Sequence, residues 1–190
     1  MALDWYKICE ADDQSLEQGD FVLDCPIVIP PEELNEEEIV DIDVQKIDSI
    51  VLSQSCDLQH GKINNVLVCP FYPLSYWLTS LLGEDASKKA KKKEVDKLRK
   101  GHFPAYHLLN QDHENNFLED YQVVDFRNVY GVHFDVLKSI ITEDDSRNRL
   151  RLLPPYKEHL SQAFARYFMR VGLPNDLSIE NSYFERSVSD

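Results

Sequence analysis

The chain has 190 residues, of which 43% are hydrophobic and 11% aromatic, so it can bury the core of one domain and is not globally disordered. Its net charge of −14 disfavours a general affinity for nucleic acid or for anionic membranes. No apolar run approaches the roughly 20 residues that span a bilayer, and residues 1–10 lack the pattern of a signal peptide. We therefore expect a cytoplasmic protein that forms a single domain over residues 1–190 and does not bind membranes.

The first third of the chain predicts short buried strands. A turn at Gly19-Asp20 precedes an apolar run at Phe21–Leu23, which indicates a first strand. Two further strands are predicted at Ile50–Ser53 and Val66–Pro70, and the polar loop between them holds Cys56, Asp57 and His60. Residues 32–48 are rich in Glu and Asp, and we expect a solvated loop or a short helix there.

A helical segment, residues 75–101, interrupts the strands. Ser75 can cap a helix that continues to Leu82, and a lysine-rich helix follows up to Lys100. Residues 88–100 hold eight of the twenty basic residues and a net charge of +6, which leaves −20 on the remainder. We expect residues 75–101 to be an insertion in the domain, and any contact with a polyanion to begin at Lys91, Lys92 and Lys93.

Strand character returns in the second half, at Phe103–Leu109, Tyr121–Phe126 and Arg149–Leu153. The clearest helix comes last, because apolar residues recur at helical spacing between Tyr156 and Val171. We expect this helix to pack on a sheet, with Phe164 and Tyr167 in the core, and residues 175–190 to form a polar tail. The predicted fold is mainly β with helices, an α+β protein.

Five short motifs, taken in order, resemble the PemK/MazF-like toxins, whose fold is a small SH3-like barrel. They are a Gly-Asp turn, a V-L-S strand, a valine strand that ends in proline, a G-x-F-P strand and an aspartate-bearing strand. In this chain they fall at Gly19-Asp20, Val51-Leu52-Ser53, Val66 to Pro70, Gly101-His102-Phe103-Pro104 and Val124-Asp125-Phe126-Arg127. The resemblance covers about residues 19–171. It implies a barrel with an inserted helical segment and a C-terminal helix packed on the sheet.

Members of that family cut single-stranded RNA without a metal, or bind partners through the same face. Cleavage requires a base for the ribose 2′-OH and a cation for the phosphorane. Asp125 matches the family's aspartate, and Arg127 is a cation beside it. The arginine that usually lies two residues before this aspartate is replaced by Val123, the usual glutamine after it by Phe126, and the usual Arg-Arg-Pro by Lys46-Ile47-Asp48-Ser49.

These departures favour a barrel that has lost the standard ribonuclease residues and works as a binding or regulatory module. The resemblance implies a bacterial toxin–antitoxin or phage-defence setting for such a module. A metal-independent endoribonuclease that uses Asp125, Arg127 and a nearby histidine is the second hypothesis.

The third hypothesis is a cysteine-dependent enzyme or redox switch at Cys56. A thiolate attacks well when a neighbour lowers its pKa, and His60 has the i, i+4 spacing that brings two side chains together on a helix. The alternative is a structural cysteine at a strand end with Asp57 in a turn. Ser53 and Gln54 precede the loop and, with Asp57, are candidate binding residues.

The four cysteines form no C-x-x-C pair, so we expect reduced and mostly buried thiols, no metal and no other cofactor. The expected partner is a protein. RNA is a second candidate partner that the net charge disfavours, and the sequence is compatible with a homodimer.

Overall fold

The computed structural model describes residues 4–10, 12–31, 42–112, 117–143 and 149–169, and these form a mixed α+β structure. The strands are β1 (Tyr6–Cys9), β2 (Phe21–Ile29), β3 (Asp43–Val51), β4 (Asn65–Pro73), β5 (Tyr106–Leu109), β6 (Gln122–Asp125), β7 (Tyr130–His133) and β8 (Arg149–Leu152). The helices are α1 (Ser55–Gln59), α2 (Leu74–Leu82), α3 (Lys88–Arg99), α4 (Phe134–Glu143) and α5 (Tyr156–Phe168). The predicted α+β class is confirmed. None of these helices is long and apolar enough to cross a membrane.

The strands pair in the order β2-β3-β4-β6-β5, and β7 pairs with the first half of β4. All of these pairings are antiparallel. β1 and β8 form an antiparallel ribbon, which joins the start of β2 through a bridge between Asp20 and Arg151. Within the described residues the sheet is not closed, because β5 pairs with β6 on one side only. The closed barrel that the resemblance implies is therefore not formed by backbone pairing.

The core lies on both faces of the sheet. Ile50 and Val51 are neighbours in β3, and because successive strand residues point to opposite faces they belong to different hydrophobic clusters. The fully buried Leu160 fixes α5 on the Ile50 side. Leu137 fixes α4 on the Val51 side. The predicted packing of the last helix on the sheet is thus confirmed.

Phe164 and Tyr167 of α5 were predicted to be core residues, and the structure places them at the margin of the core. Both are half-buried, and both contact the buried ring of Phe126, at centroid distances of 5.5 and 6.2 Å. The fully buried position on the helix is Leu160, one turn earlier. The apolar stripe was therefore predicted correctly, and its most buried residue was not.

All four residues of β8 are buried, whereas their alternating pattern predicted half-burial. Arg149 and Arg151 reach the carboxylate of Asp20, which is fully buried before β2. The Arg149 Nε–Asp20 Oδ2 distance is 3.1 Å, the Arg151 Nη2–Asp20 Oδ2 distance is 2.9 Å, and Arg151 Nη1 also contacts Glu17 at 2.8 Å. A buried arginine needs such a set of acceptors, and here they come from residues 129 or more positions away in the chain.

Several elements were not predicted. α4 had no prediction, and the loop expected around Cys56 is the short helix α1. β1 lies where the sequence left either a helical turn or an edge strand open. β3 begins at Asp43, inside the acidic stretch, because its first residues form a hairpin with the end of β2, where Val28 pairs with Val44. Residues 32–41 of that stretch and the predicted tail 175–190 lie outside the described residues.

α2 and α3 occupy the predicted helical segment 75–101, between β4 and β5. Trp77 of α2 and Leu98 of α3 are buried against Val123 of β6. The two helices therefore cover one face of the sheet near its β5 edge. That this segment is an insertion in a single domain stays a prediction.

Candidate functional site

Asp125 ends β6 and is buried, with 2% of its surface exposed. Phe126 continues the ladder by one bond, from its N–H to the carbonyl of Ala105 at 2.9 Å. The backbone then turns, because Asp125 Oδ1 accepts the N–H of Arg127 at 2.9 Å. The aspartate thus has a local structural role at the point where the strand ends.

The same carboxylate binds the guanidinium of Arg127. Arg127 Nη2 donates to Oδ2 at 2.7 Å and Nε to Oδ1 at 3.0 Å, and Asn128 Nδ2 donates to Oδ2 at 3.2 Å. Such a two-point pair fixes both the position and the plane of the guanidinium. These hydrogen bonds raise the pKa of Arg127 further above its ordinary value, so the side chain is always charged. The sequence predicted that the two side chains share a face, and the structure brings them together.

Arg127 is held on the surface rather than inside it, since 56% of its side chain is exposed. Its Cζ atom lies 4.8 Å from the centre of the Tyr106 ring, which is a cation–π contact. Tyr72 is near the same pair: burial raises the pKa of its phenol, and the charge of Asp125 adds to that effect. Tyr130 and Tyr76 adjoin Tyr72. We call this group the Arg127 surface; it consists of Tyr72, Tyr76, Tyr106, Arg127 and Tyr130.

A cleft of about 800 Å³ lies along β5, and Tyr106 is one of its lining residues. We call it the β5 cleft. Its floor is the strand itself, from Tyr106 to Asn110. One wall is the end of α3 with the two residues that follow it, and the other is a face of α5 made of positions i, i+3, i+4 and i+7, which are His159, Gln162, Ala163 and Arg166. Trp5 closes one part, with its ring stacked on Tyr156 at 3.6 Å.

The β5 cleft is cationic. Arg99, Lys100 and Arg166 line it, with His107 and His159, and no Asp or Glu is among its described lining residues. Burial lowers the pKa of His107 to about 4, and the charge of His159 adds to the effect, so His107 is neutral at pH 7. The permanent charge of the cleft therefore comes from the two arginines and the lysine.

The structure joins Cys56 and His60 through the backbone, since the His60 N–H donates to the Cys56 carbonyl at 3.3 Å. Cys56 is exposed on α1, and its Sγ contacts Gln54 Oε1 and Asp57 Oδ1, each at 3.7 Å. Neither neighbour is a cation, the kind of group that stabilises a thiolate. His60 lies at the C-cap of α1, after the helix has ended. Among the described residues no three His, Cys, Asp or Glu side chains are grouped as a metal would require.

The other three cysteines, Cys9, Cys25 and Cys69, are buried and free, as predicted. Burial raises the pKa of the Cys9 and Cys25 thiols to about 11 and that of Cys69 to about 12, with the charge of Asp125 adding at Cys69. These thiols are therefore protonated and packed.

The remaining candidate binding residues have local structural contacts. Ser53 is buried, and its Oγ accepts the N–H of Leu67 at 2.9 Å, which holds β3 to β4 where β3 ends. Gln54 is the N-cap of α1, and Asp57 pairs with Lys62 at 3.4 Å. The lysines of α3 that were predicted to meet a polyanion do not line the β5 cleft; they are Lys91, Lys92 and Lys93.

Sequence reasoning missed the cleft because its residues are scattered along the chain, from Trp5 to Arg166. Arg99 and Lys100 belong to the lysine-rich segment 88–100, but they lie at its C-terminal end, whereas the sequence pointed to Lys91, Lys92 and Lys93. The signal for α5 was present in the sequence: His159, Gln162 and Arg166 repeat at helical spacing beside the apolar stripe. Nothing in the sequence indicates that this face meets β5.

The fold and these sites define an open, antiparallel α+β sheet protein with an arginine fixed on its surface and a cationic cleft along its edge. A scan against models of known protein families and a search of curated proteins each found no match for this chain.

Proposed function

We propose that this chain is a PemK/MazF-like protein with an SH3-like arrangement of strands that works as a binding or regulatory module, and that a protein partner docks on the Arg127 surface. The motifs from Gly19-Asp20 to Arg127 support the family, because they occur along the chain in the same order as in the family. A toxin–antitoxin or phage-defence setting in the bacterial cytoplasm is the context that this resemblance favours.

One observation carries the proposal: the Asp125 carboxylate is already occupied. It accepts hydrogen bonds from the Arg127 backbone, the Arg127 guanidinium and the Asn128 amide. A general base must be free to take a proton from its substrate, and this carboxylate would first have to release its own cation. What the arrangement does provide is a charged, planar group held in place on the surface.

The composition of the Arg127 surface supports a protein as the partner. Tyrosine and arginine are enriched at the energetic centres of protein interfaces, since each offers a large rigid contact with a polar end. Tyr76 is 60% exposed, and its ring lies 5.6 Å from that of Tyr72. The net charge of −14 works against RNA as the occupant. A second copy of the chain, which would form a homodimer, is a protein occupant of the same kind.

Site-specific photo-crosslinking in cells of the source organism tests the proposal. A photoreactive amino acid replaces Tyr76, and in a matched control it replaces Lys62, whose side chain is 58% exposed in the segment between α1 and β4. We expect a discrete protein adduct at position 76 only, lost when Arg127→Lys is added, because lysine keeps the charge but not the two-point geometry. Equal adducts at both positions, or an adduct unaffected by Arg127→Lys, would contradict the proposal.

A further inference from the structure

The β5 cleft concentrates positive charge in a negatively charged protein. Three permanent cations line it, Arg99, Lys100 and Arg166, and no carboxylate among the described residues does, although the chain carries −14 overall. A concave site with one sign of charge draws ligands of the other sign. The ligand that fits this cleft is therefore negatively charged.

The floor of the cleft is an edge strand. β5 pairs with β6 in a register that sets Tyr106 opposite Asp125 and His107 opposite Val124. The bond from the Phe126 N–H to the Ala105 carbonyl makes that pair a hydrogen-bonded one, and such pairs alternate along an antiparallel ladder. His107 and Leu109 therefore bond to β6, and Leu108 directs its N–H and C=O away from β6, along the cleft.

The walls fit an extended chain. α3 packs with Val123 and α5 with Val124, so the two helices lie on opposite faces of the sheet beside β5. Residues of both helices and of the strand line the cleft. Its lining also includes apolar residues: Val95, Leu98, Leu108 and Ala163. A strand that entered this groove would direct its side chains alternately towards the two walls, and both walls carry cations.

Bases of a single-stranded nucleic acid need aromatic faces on which to stack. Trp5 already has Tyr156 stacked on it at 3.6 Å, and Arg127 covers one face of Tyr106. Two of the three Trp and Tyr residues that line the cleft are thus partly covered, whereas the N–H and C=O of Leu108 face away from β6. This difference favours a peptide over a nucleic acid.

We propose that the β5 cleft binds an extended acidic segment of a protein partner, which adds to β5 as a further strand. Backbone hydrogen bonds along Leu108 would supply affinity, and Arg99, Lys100 and Arg166 would select acidic side chains. The proposal does not depend on the Arg127 surface, because the cleft has its own cations and its own backbone edge.

Synthetic peptides test the mode of binding. A fluorescent peptide of about ten residues with alternating Glu and Val is titrated with the full chain, beside a peptide in which Lys replaces every Glu. Two further Glu–Val peptides carry N-methyl groups, one on all Glu residues and the other on all Val residues. A strand presents only alternate amides to its neighbour, so strand addition predicts that one N-methylated peptide binds about tenfold more weakly or worse and the other does not.

Charge reversal on the protein tests the location. Lys100→Glu combined with Arg166→Glu is compared with Lys92→Glu combined with Lys93→Glu, which makes the same change in net charge outside the cleft. We expect the affinity for the Glu–Val peptide to fall by about tenfold or more in the cleft variant, and by about twofold or less in the matched variant. Circular dichroism confirms that both variants are folded. All four substituted residues are exposed, so the substitutions do not disturb the core.

Three outcomes would overturn the proposal. The first is no detectable binding of the Glu–Val peptide at protein concentrations up to about 1 mM, which would mean that the cleft has no useful affinity for it. The second is an equal effect of both N-methylated peptides or of both charge variants, which would indicate attraction by net charge alone. The third is binding of an oligouridylate, but not of the peptide, with loss of that binding in the cleft variant, which would identify a nucleic acid as the occupant.

Discussion

The guanidinium of Arg127 is fixed to the carboxylate of Asp125 by a 2.7 Å bond from Nη2 to Oδ2, although the aspartate is buried and the arginine is exposed. This pairing couples the end of β6 to the surface. It also uses the one carboxylate that the resemblance to PemK/MazF-like ribonucleases would assign to catalysis.

The pair should be coupled in stability. Arg127→Ala leaves the buried carboxylate with only the backbone N–H and the Asn128 amide, and we expect a loss of roughly 1–3 kcal/mol in the free energy of unfolding. Asp125→Asn combined with Arg127→Ala should cost less than the sum of the single changes, since the second change removes a group that has already lost its partner. Urea unfolding of the four proteins measures this. Additive costs would mean that the two side chains do not interact in solution.

The buried network around Asp20 should contribute more to stability than any surface ion pair. Arg151→Ala removes contacts to both Asp20 and Glu17, and breaking a buried pair in this way typically costs about 3–5 kcal/mol. The matched control is Arg99→Ala, whose contact with Asp96 at 3.9 Å is exposed and should be worth about 0–1 kcal/mol. Thermal or urea unfolding compares the two, and equal losses would contradict the burial of the network.

His107 should make stability depend on pH. Its pKa in the folded protein is about 4, below the ordinary value of 6.5, so between these values the unfolded chain binds a proton that the folded protein does not. Stability is therefore retained above pH 6.5 and falls as the pH drops towards 4. Between pH 7 and pH 5 the loss from this group is about 2 kcal/mol. His107→Asn should reduce the measured difference between the two pH values by that amount, and an unchanged difference would show that another group is responsible.

Much of the fold follows from local sequence signals. The strands at Phe21, Ile50, Val66 and Val123 are apolar runs bounded by turn residues, and the last helix has an apolar stripe at helical spacing. These signals depend only on neighbours in the chain, so the sequence predicts them. The length of β2 and β3 does not follow in the same way, because Val28 and Val44 are in strands only through pairing with each other.

The candidate site was predicted in part for the same reason. Asp125 and Arg127 are two residues apart, and strand alternation predicted that they share a face. In the structure the strand ends at Asp125, and the turn that follows brings the two side chains together. Their joint contact with Tyr106 depends on the register of β5 against β6, which the sequence does not specify. The burial of Arg149 and Arg151 depends on Asp20 in the same long-range manner.

Cys56 should be the reactive thiol of the native protein. It is the exposed cysteine among the four, and the other three are buried with a pKa raised to about 11 or 12. At pH 8 Cys9 and Cys25 are therefore thiolate to about one part in a thousand, and Cys69 to about one part in ten thousand. A thiol reagent should label one cysteine quickly in the folded protein and all four after unfolding. Mass spectrometry should identify the quickly labelled residue as Cys56. Loss of the adduct at Tyr76 in a Cys56→Ser variant would instead support a role for this thiol in function.

The most direct test of the binding-module account is the incubation of purified protein with a long unstructured RNA. Losing one preorganised donor at a phosphate typically costs about 100- to 1000-fold in rate, and this chain has Val123 where the family has an arginine. With the Asp125 carboxylate also occupied, we predict no cleavage at micromolar protein. Cleavage that Asp125→Ala or Arg127→Ala abolishes, while Lys92→Glu leaves it intact, would contradict the account and identify the protein as a ribonuclease.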